Sequence, residues 1–338
     1  MAPLCNEQIK AIGITSGGLD SIVSALVLKE QGVDVIWLSF TTPFFSSESA
    51  QKAAEKLNIP ILVRDITDRY LQMLKAPPAG YGKNMNPCMD CHALMFELAG
   101  PEMEKQGASF LFSGEVAGQR PKSQNKNSLR YVEKNSGYDG YILRPLSAKL
   151  LPETLVEKYG WVDRKKLCRI SGRSRTEQRA LAEKFGVTEY PSPAGGCLLT
   201  DTNFSKRLRD LMFVQKQFEK RELHLLKHGR HFRLDHRHKA IVGKTEADNN
   251  AIQEYYDKTS DLLIRHGSMP GPLVLVPGQA PADALEAAVR LCASYTKKIS
   301  PDVPTDITLT APSGVETIHV SPLSEDAFHR FKEQAMIR

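Results

Sequence analysis

The hexad Ser16-Gly17-Gly18-Leu19-Asp20-Ser21 has the residue types of an anion cradle. Its glycines let the backbone approach an anion with no Cβ in the way, and Ser16 and Ser21 add hydroxyl groups. Asp20 puts a carboxylate where Mg²⁺ would neutralise departing phosphate charge. The hexad lies between an apolar run at 10–15 and an amphipathic run at 19–30, in which Ile22, Val23, Leu26 and Val27 follow helical spacing. A strand entering a helix N-terminus aims free N–H groups and the positive dipole end at the loop. The bland alternative is a plain strand–helix turn. The Gly-Lys-Ser/Thr ending of a Walker A loop is absent.

A second chemistry sits at Cys88-Met89-Asp90-Cys91, read as a loop before a helix at 95–106. Two thiols three positions apart can face one ion. Cys197, behind Gly195 and Gly196, is the natural third thiol. Three thiolates suit a [4Fe–4S] cluster with one iron free of protein sulfur. The rivals are a persulfide on Cys197 or on one of the pair, and zinc with His92 as fourth ligand. Cys5, Cys168 and Cys292 have no partner at ligand spacing and read as buried thiols.

The elements that must position these residues alternate. Strands are expected at 10–15, 33–40, 60–63, 109–113 and 140–143, and helices at 19–30, 49–57, 95–106 and 175–185. Such alternation predicts an α/β fold, a Rossmann-like parallel sheet with its functional loops at the carboxyl edge. The Pro/Gly-rich stretch 190–197 cannot be regular structure, so two domains are expected, 1–202 and 203–338. The second reads as a smaller α+β domain, with strands near 231–233, 240–243, 273–276 and 315–320 and a helix at 248–259.

A hydrophobic share of 41% and a charged share of 25% are ordinary for a globular protein. No apolar run reaches the roughly 18 residues of a membrane span, and residues 1–10 show no export signal. A cytoplasmic enzyme is expected. The net charge is +6, yet residues 203–244 alone carry 12 Lys/Arg against 4 Asp/Glu. A basic block in a near-neutral chain points to a polyanion, RNA above all, with a solvated helix face as the alternative.

The hexad matches the signature of the PP-loop (N-type ATP pyrophosphatase) superfamily. That resemblance implies that ATP is cleaved between its α- and β-phosphates and an acceptor oxygen is adenylated. It also implies that Ser39 and Phe40, ending the second strand, frame the adenosine. A further series, Gly114-Glu115, Gly118-Gln119, Ser123-Gln124 and Leu143-Arg144-Pro145-Leu146, resembles the PP-loop domain of the tRNA 4-thiouridine synthase family over residues 8–200. This chain carries one extra residue between Gln119 and Ser123. Gly114 would permit close approach to ATP, Gln119 would hydrogen-bond it, and Arg144 would pair with phosphate, a structural salt bridge being the alternative for Arg144. The resemblance implies tRNA as partner and a sulfur donor, either sulfide or a cysteine desulfurase persulfide. In the cluster reading, the free iron would carry the sulfide that displaces AMP from the activated uridine, with 4-thiouridine as product. 2-Thiouridine is the alternative, as is a ligase acting on a small metabolite. Nothing corresponding to that family's N-terminal RNA-binding region precedes the first strand.

Arg164, Lys165, Lys166, Arg173 and Arg175 form a basic run read as phosphate-backbone contacts. In the second domain Arg230, Arg233 and Lys244 do the same, within runs (229–233, 240–244, 266–272) that resemble the NFACT RNA-binding domain. The alternative is an oligomerisation domain, as in a homodimer.

Overall fold

A computed structural model describes residues 8–191, 197–297, 299 and 303–337. Cys5 and most of the irregular stretch 190–197, Gly195 and Gly196 included, lie outside the described residues. The chain divides into two units, Met1–Cys197 and Leu198–Arg338.

In the first unit, β1 (Lys10–Ile14), β2 (Asp34–Thr41), β3 (Ile61–Asp65), β4 (Phe110–Ser113) and β5 (Ile142–Leu143) form a parallel sheet in the order β3-β2-β1-β4-β5. Its helices are α1 (Leu19–Lys29), α2 (Glu48–Leu57), α3 (Thr67–Lys75), α4 (Cys88–Lys105), α5 (Lys126–Asn135), α6 (Leu155–Lys158) and α7 (Thr176–Lys184). The strand order reverses between β1 and β4. The loops leaving their carboxyl ends therefore flank a crevice, where α/β sheets bind ligands. Gly13 makes this pairing fit, because a Cβ there would lie 2.3 Å from the Phe112 ring of β4. α1 buries Ile22, Val23 and Val27 against the sheet and leaves Leu26 partly covered.

α4 begins at Cys88, earlier than its apolar periodicity announces, and runs through Pro101. Cys88 and Cys91 are thus in the first turn of a helix and not on a loop before one.

The second unit holds β6 (Arg230–Arg233), β7 (Lys239–Val242), β8 (Leu262–His266), β9 (Val274–Val276), β10 (Thr305–Ala311) and β11 (Gly314–Val320). They form an antiparallel sheet in the order β11-β10-β8-β9-β7-β6. Its helices are α8 (Thr202–Arg209), α9 (Lys220–Leu225), α10 (Glu246–Glu254), α11 (Ala282–Tyr295) and α12 (Glu325–Ala335). α11 supplies Ala288, Val289, Leu291 and Cys292 to the core against Phe232, Val242, Ile264 and Ile307. Among the described residues no helix is long and apolar enough to cross a membrane.

Candidate functional site

The loop after β1 is braced by a residue that the sequence motif does not include. Thr15 accepts the Gly17 N–H at 3.0 Å and donates to Ser21 Oγ at 3.0 Å, while Ser21 donates to the Gly18 carbonyl at 2.8 Å. Ser21 therefore spends its proton inside the loop, whereas Ser16 is exposed. Gly17 sits at φ +75, and a Cβ there would lie 2.3 Å from the Ser49 carbonyl carbon. Only glycine meets both demands. Leu19 is buried in the core and anchors the loop as an apolar plug. Ser39 and Phe40 are likewise buried in β2.

Asp20 stands in the first turn of α1. Its Oδ2 accepts from Gln119 Nε2 at 2.9 Å, and Oδ1 is buried with no protein partner, as is Gln119 Oε1. A buried carboxylate oxygen left open is what a bound cation requires, so Asp20 fits Mg²⁺.

The loop after β4, residues 114–119, reaches this site through two of its residues, Gly114 and Gln119. A Cβ on Gly114 would lie 2.5 Å from the Asp20 carbonyl carbon, so its clearance serves the α1 backbone and not ATP. Gln119 holds Asp20. Glu115 faces the other way and accepts from three neighbours: Ser113 Oγ at 3.1 Å, Arg144 Nε at 2.9 Å, and His92 Nδ1 at 2.6 Å. Burial alone would push Glu115 up, but Arg144 and His92 outweigh it and hold the carboxyl well below the usual range. Arg144 is buried, and its remaining nitrogens go to Glu133 and the Leu129 carbonyl. Its contacts are those of a structural salt bridge, not of a phosphate ligand. His92 is committed to Glu115.

The thiols gather around Tyr70. This buried residue of α3 packs tilted against Phe44 and edge-on to Phe45 and hydrogen-bonds Cys91, with Cys197 and Cys88 within electrostatic reach. Burial pushes the Cys91 thiol up to about 12, and the Tyr70 hydroxyl pulls it back down. Asn86 Nδ2 donates to Cys88 Sγ at 3.4 Å. Asp90, between the two cysteines, accepts from Ala79 N and Tyr131 Oη at 3.0 and 2.8 Å and so fixes the turn that carries them. Cys88 and Cys91 are thiols, not a disulfide. Among the described residues, no group of three His, Cys, Asp or Glu side chains is placed to hold a metal ion. The donor chemistry suits a cluster; the spacing here does not.

The residues read as RNA contacts separate. Lys165, Lys166, Arg173 and Lys244 are exposed. Arg164 is tied to Glu157 and the Leu151 carbonyl, and Arg233 to Asp210. Both are structural pairs, because each guanidinium is held by a carboxylate of its own unit. Partial desolvation and the nearby Arg207 and Arg230 draw the exposed Lys244 below its usual range, so these three share one positive patch. Arg230 also lies over the Tyr295 ring at 4.8 Å. Arg175 approaches Asp20.

Residues 9–173 match the family model described as the tRNA methyl transferase HUP domain. Residues 229–332 match that of the NFACT protein RNA binding domain. The tRNA-specific 2-thiouridylase MnmA of Coxiella burnetii is 27% identical over 229 residues, covering 62% of this chain and 59% of that protein. The protein of the same description from Caldicellulosiruptor saccharolyticus is 26% identical over 242 residues, covering 63% and 60%. The chain thus spans about three fifths of these relatives' length. A solved structure described as a 4-thiouridine synthetase–RNA complex with bound ATP is 21% identical over 54% of each chain, with a TM-score of 0.34. With its Gly/Ser-rich hexad at the strand-order switch and its match over residues 9–173, the first unit resembles the PP-loop superfamily, and residues 229–332 resemble an NFACT-type RNA-binding domain.

Proposed function

We propose that the chain is an ATP-dependent tRNA sulfurtransferase that adenylates a uridine carbonyl oxygen and replaces it with sulfur. One observation carries this reading. The loop 114–119 joins both chemistries: Gly114 and Gln119 rest on Asp20 of the phosphate loop, while Glu115 holds His92, the neighbour of Cys91. A nucleotide and a thiol brought to one loop suit activation followed by sulfur transfer.

In the first half-reaction the uridine oxygen attacks the α-phosphorus, the bond to the β-phosphate oxygen breaks, and pyrophosphate leaves. The α1 N-terminus and the loop N–H groups stabilise the charge that develops. Mg²⁺ on Asp20 would add to that screening. In the second, the terminal sulfur of a cysteine persulfide attacks the activated carbon and AMP departs. A second thiol then takes the inner sulfur, leaving a cysteine disulfide that an external dithiol reduces. The three thiols around Tyr70 support this route. The spacing of the described residues does not support the [4Fe–4S] reading, and in this proposal the sulfur travels on a cysteine. Anaerobic iron and sulfide analysis tests that choice, and about four irons per chain would reverse it.

The position modified is C2 in this proposal. The curated relatives are 2-thiouridylases, which favours C2 over the C4 expected from the motif series. The deciding assay supplies unmodified tRNA, ATP and a persulfide donor and follows pyrophosphate release and the nucleosides formed. Release that requires tRNA, with 2-thiouridine as product, is expected. 4-Thiouridine would move the site to C4, and release driven by a small metabolite without tRNA would end the proposal.

A further inference from the structure

The hexad carries no cation, since its one charged side chain, Asp20, is negative. A Walker A loop brings its own lysine to the phosphates; this loop must obtain positive charge elsewhere. The structure places one candidate beside it. Arg175 Nη2 lies 3.6 Å from Asp20 Oδ2, with both side chains about four-fifths covered, at 22% and 19% exposure.

Arg175 is put there by its own loop. Ser171 bridges to Ala117, and Gly172, at φ +82, donates to the Ala117 carbonyl at 2.9 Å. The 171–175 segment is thereby fastened to the loop that bears Gln119. Ser174 and Thr176 exchange a hydroxyl hydrogen bond at 2.9 Å on either side of Arg175. Arg175 is also the residue from which α7 starts, and α7 packs on α1, the helix that carries Asp20.

A separation of 3.6 Å is too long for a hydrogen bond. The guanidinium faces the carboxylate without closing on it, and its planar fork suits phosphate oxygens in pairs. Gln119 Nε2 shares the same Asp20 oxygen, and the unpartnered Asp20 Oδ1 and Gln119 Oε1 belong to the same cluster. We infer that Arg175 belongs to the nucleotide site and binds the β- and γ-phosphates of ATP, the part that leaves as pyrophosphate, and not the RNA backbone. Positive charge there matters most as the leaving group gains charge. This inference rests on the ATP reading proposed above.

The test is calorimetric binding of Mg-ATP and of AMP to the intact chain, with filter binding of unmodified tRNA alongside. Wild type, Arg175→Ala and Arg175→Lys are compared. Arg175→Ala is expected to weaken ATP about tenfold or more while leaving AMP and tRNA binding unchanged. Arg175→Lys should recover part of the loss, because it restores the charge without the fork. Unchanged ATP affinity overturns the inference, and a fall in tRNA affinity alone returns Arg175 to the RNA surface. An equal loss of AMP and ATP also overturns it, since the residue then shapes the fold and not the pyrophosphate site. Wild-type protein that binds no ATP would bring down the parent reading, a result distinct from any of these.

Discussion

At Cys91 two influences oppose each other: desolvation keeps the proton on, and the Tyr70 hydroxyl offers the thiolate a donor. The resting thiol is neutral at physiological pH, and its anion has a partner once formed. Replacing Tyr70 by Phe keeps the ring against Phe44 and Phe45 and removes only that donor. Alkylation of Cys91 at mildly alkaline pH, followed by site-resolved mass spectrometry, should slow about tenfold in Tyr70→Phe. An unchanged rate would remove Tyr70 from the sulfur chemistry. Asp20→Ala should abolish turnover with the fold intact, since among the described residues the one protein hydrogen bond to its carboxylate is that from Gln119; full activity in a folded variant would sink the ATP mechanism. The hexad stood out because its glycines and serines are themselves the types that let a backbone approach an anion. Thr15 and Tyr70 were not, because a hydroxyl that braces a loop and a tyrosine on a remote helix show no spacing signal.

At the scale of elements, Glu115 is the tie between α4, β4 and β5. Arg144→Ala takes the buried guanidinium from Glu115, which keeps His92 and Ser113, and from Glu133, which keeps Arg130, and should cost about 3 kcal/mol, read as a lower urea midpoint. The network also sets an acid limit. A carboxylate held low in the folded state contributes stability that is full above its unfolded value, 4.5, and is lost as pH falls below it. Glu115→Gln should therefore flatten the acid arm of the stability profile relative to wild type, and a parallel profile would count against this account. The parallel sheet was readable from its alternating runs. The start of α4 was not, although Asp90 in its first turn is a helix-start signal that periodicity outweighed. β10 hid in a Pro- and Thr-rich tail, where the alternation Ile307, Leu309 was its one trace. Gly114 was legible as a glycine under constraint, but sequence cannot tell a ligand from the α1 backbone as the thing approached.

For the whole molecule, composition pointed to a polyanion, and the structure divides the basic residues into structural and free. Arg207 shows the division within one patch: it donates to the Leu226 and Gly229 carbonyls, while Lys244 beside it is exposed. Arg230→Glu with Lys244→Glu should weaken tRNA binding and lower the salt dependence by about two phosphate contacts, with ATP affinity unchanged. Binding measured across a salt series checks this. An unaltered slope would place the RNA elsewhere.

The second unit's sheet ends in an unusual way. β11 is one edge and β6 the other, and α12 carries the chain from the first to the second, where Met336 bridges Phe232 and Ile337 N–H donates to the His231 carbonyl at 2.9 Å. In kinetic terms this clasp closes a loop of about a hundred residues, a step whose entropy must be met before the contact rewards it. It should form after the sheet has assembled. Breaking it should then speed unfolding while leaving the refolding rate nearly unchanged, the signature of an interaction absent from the folding transition state.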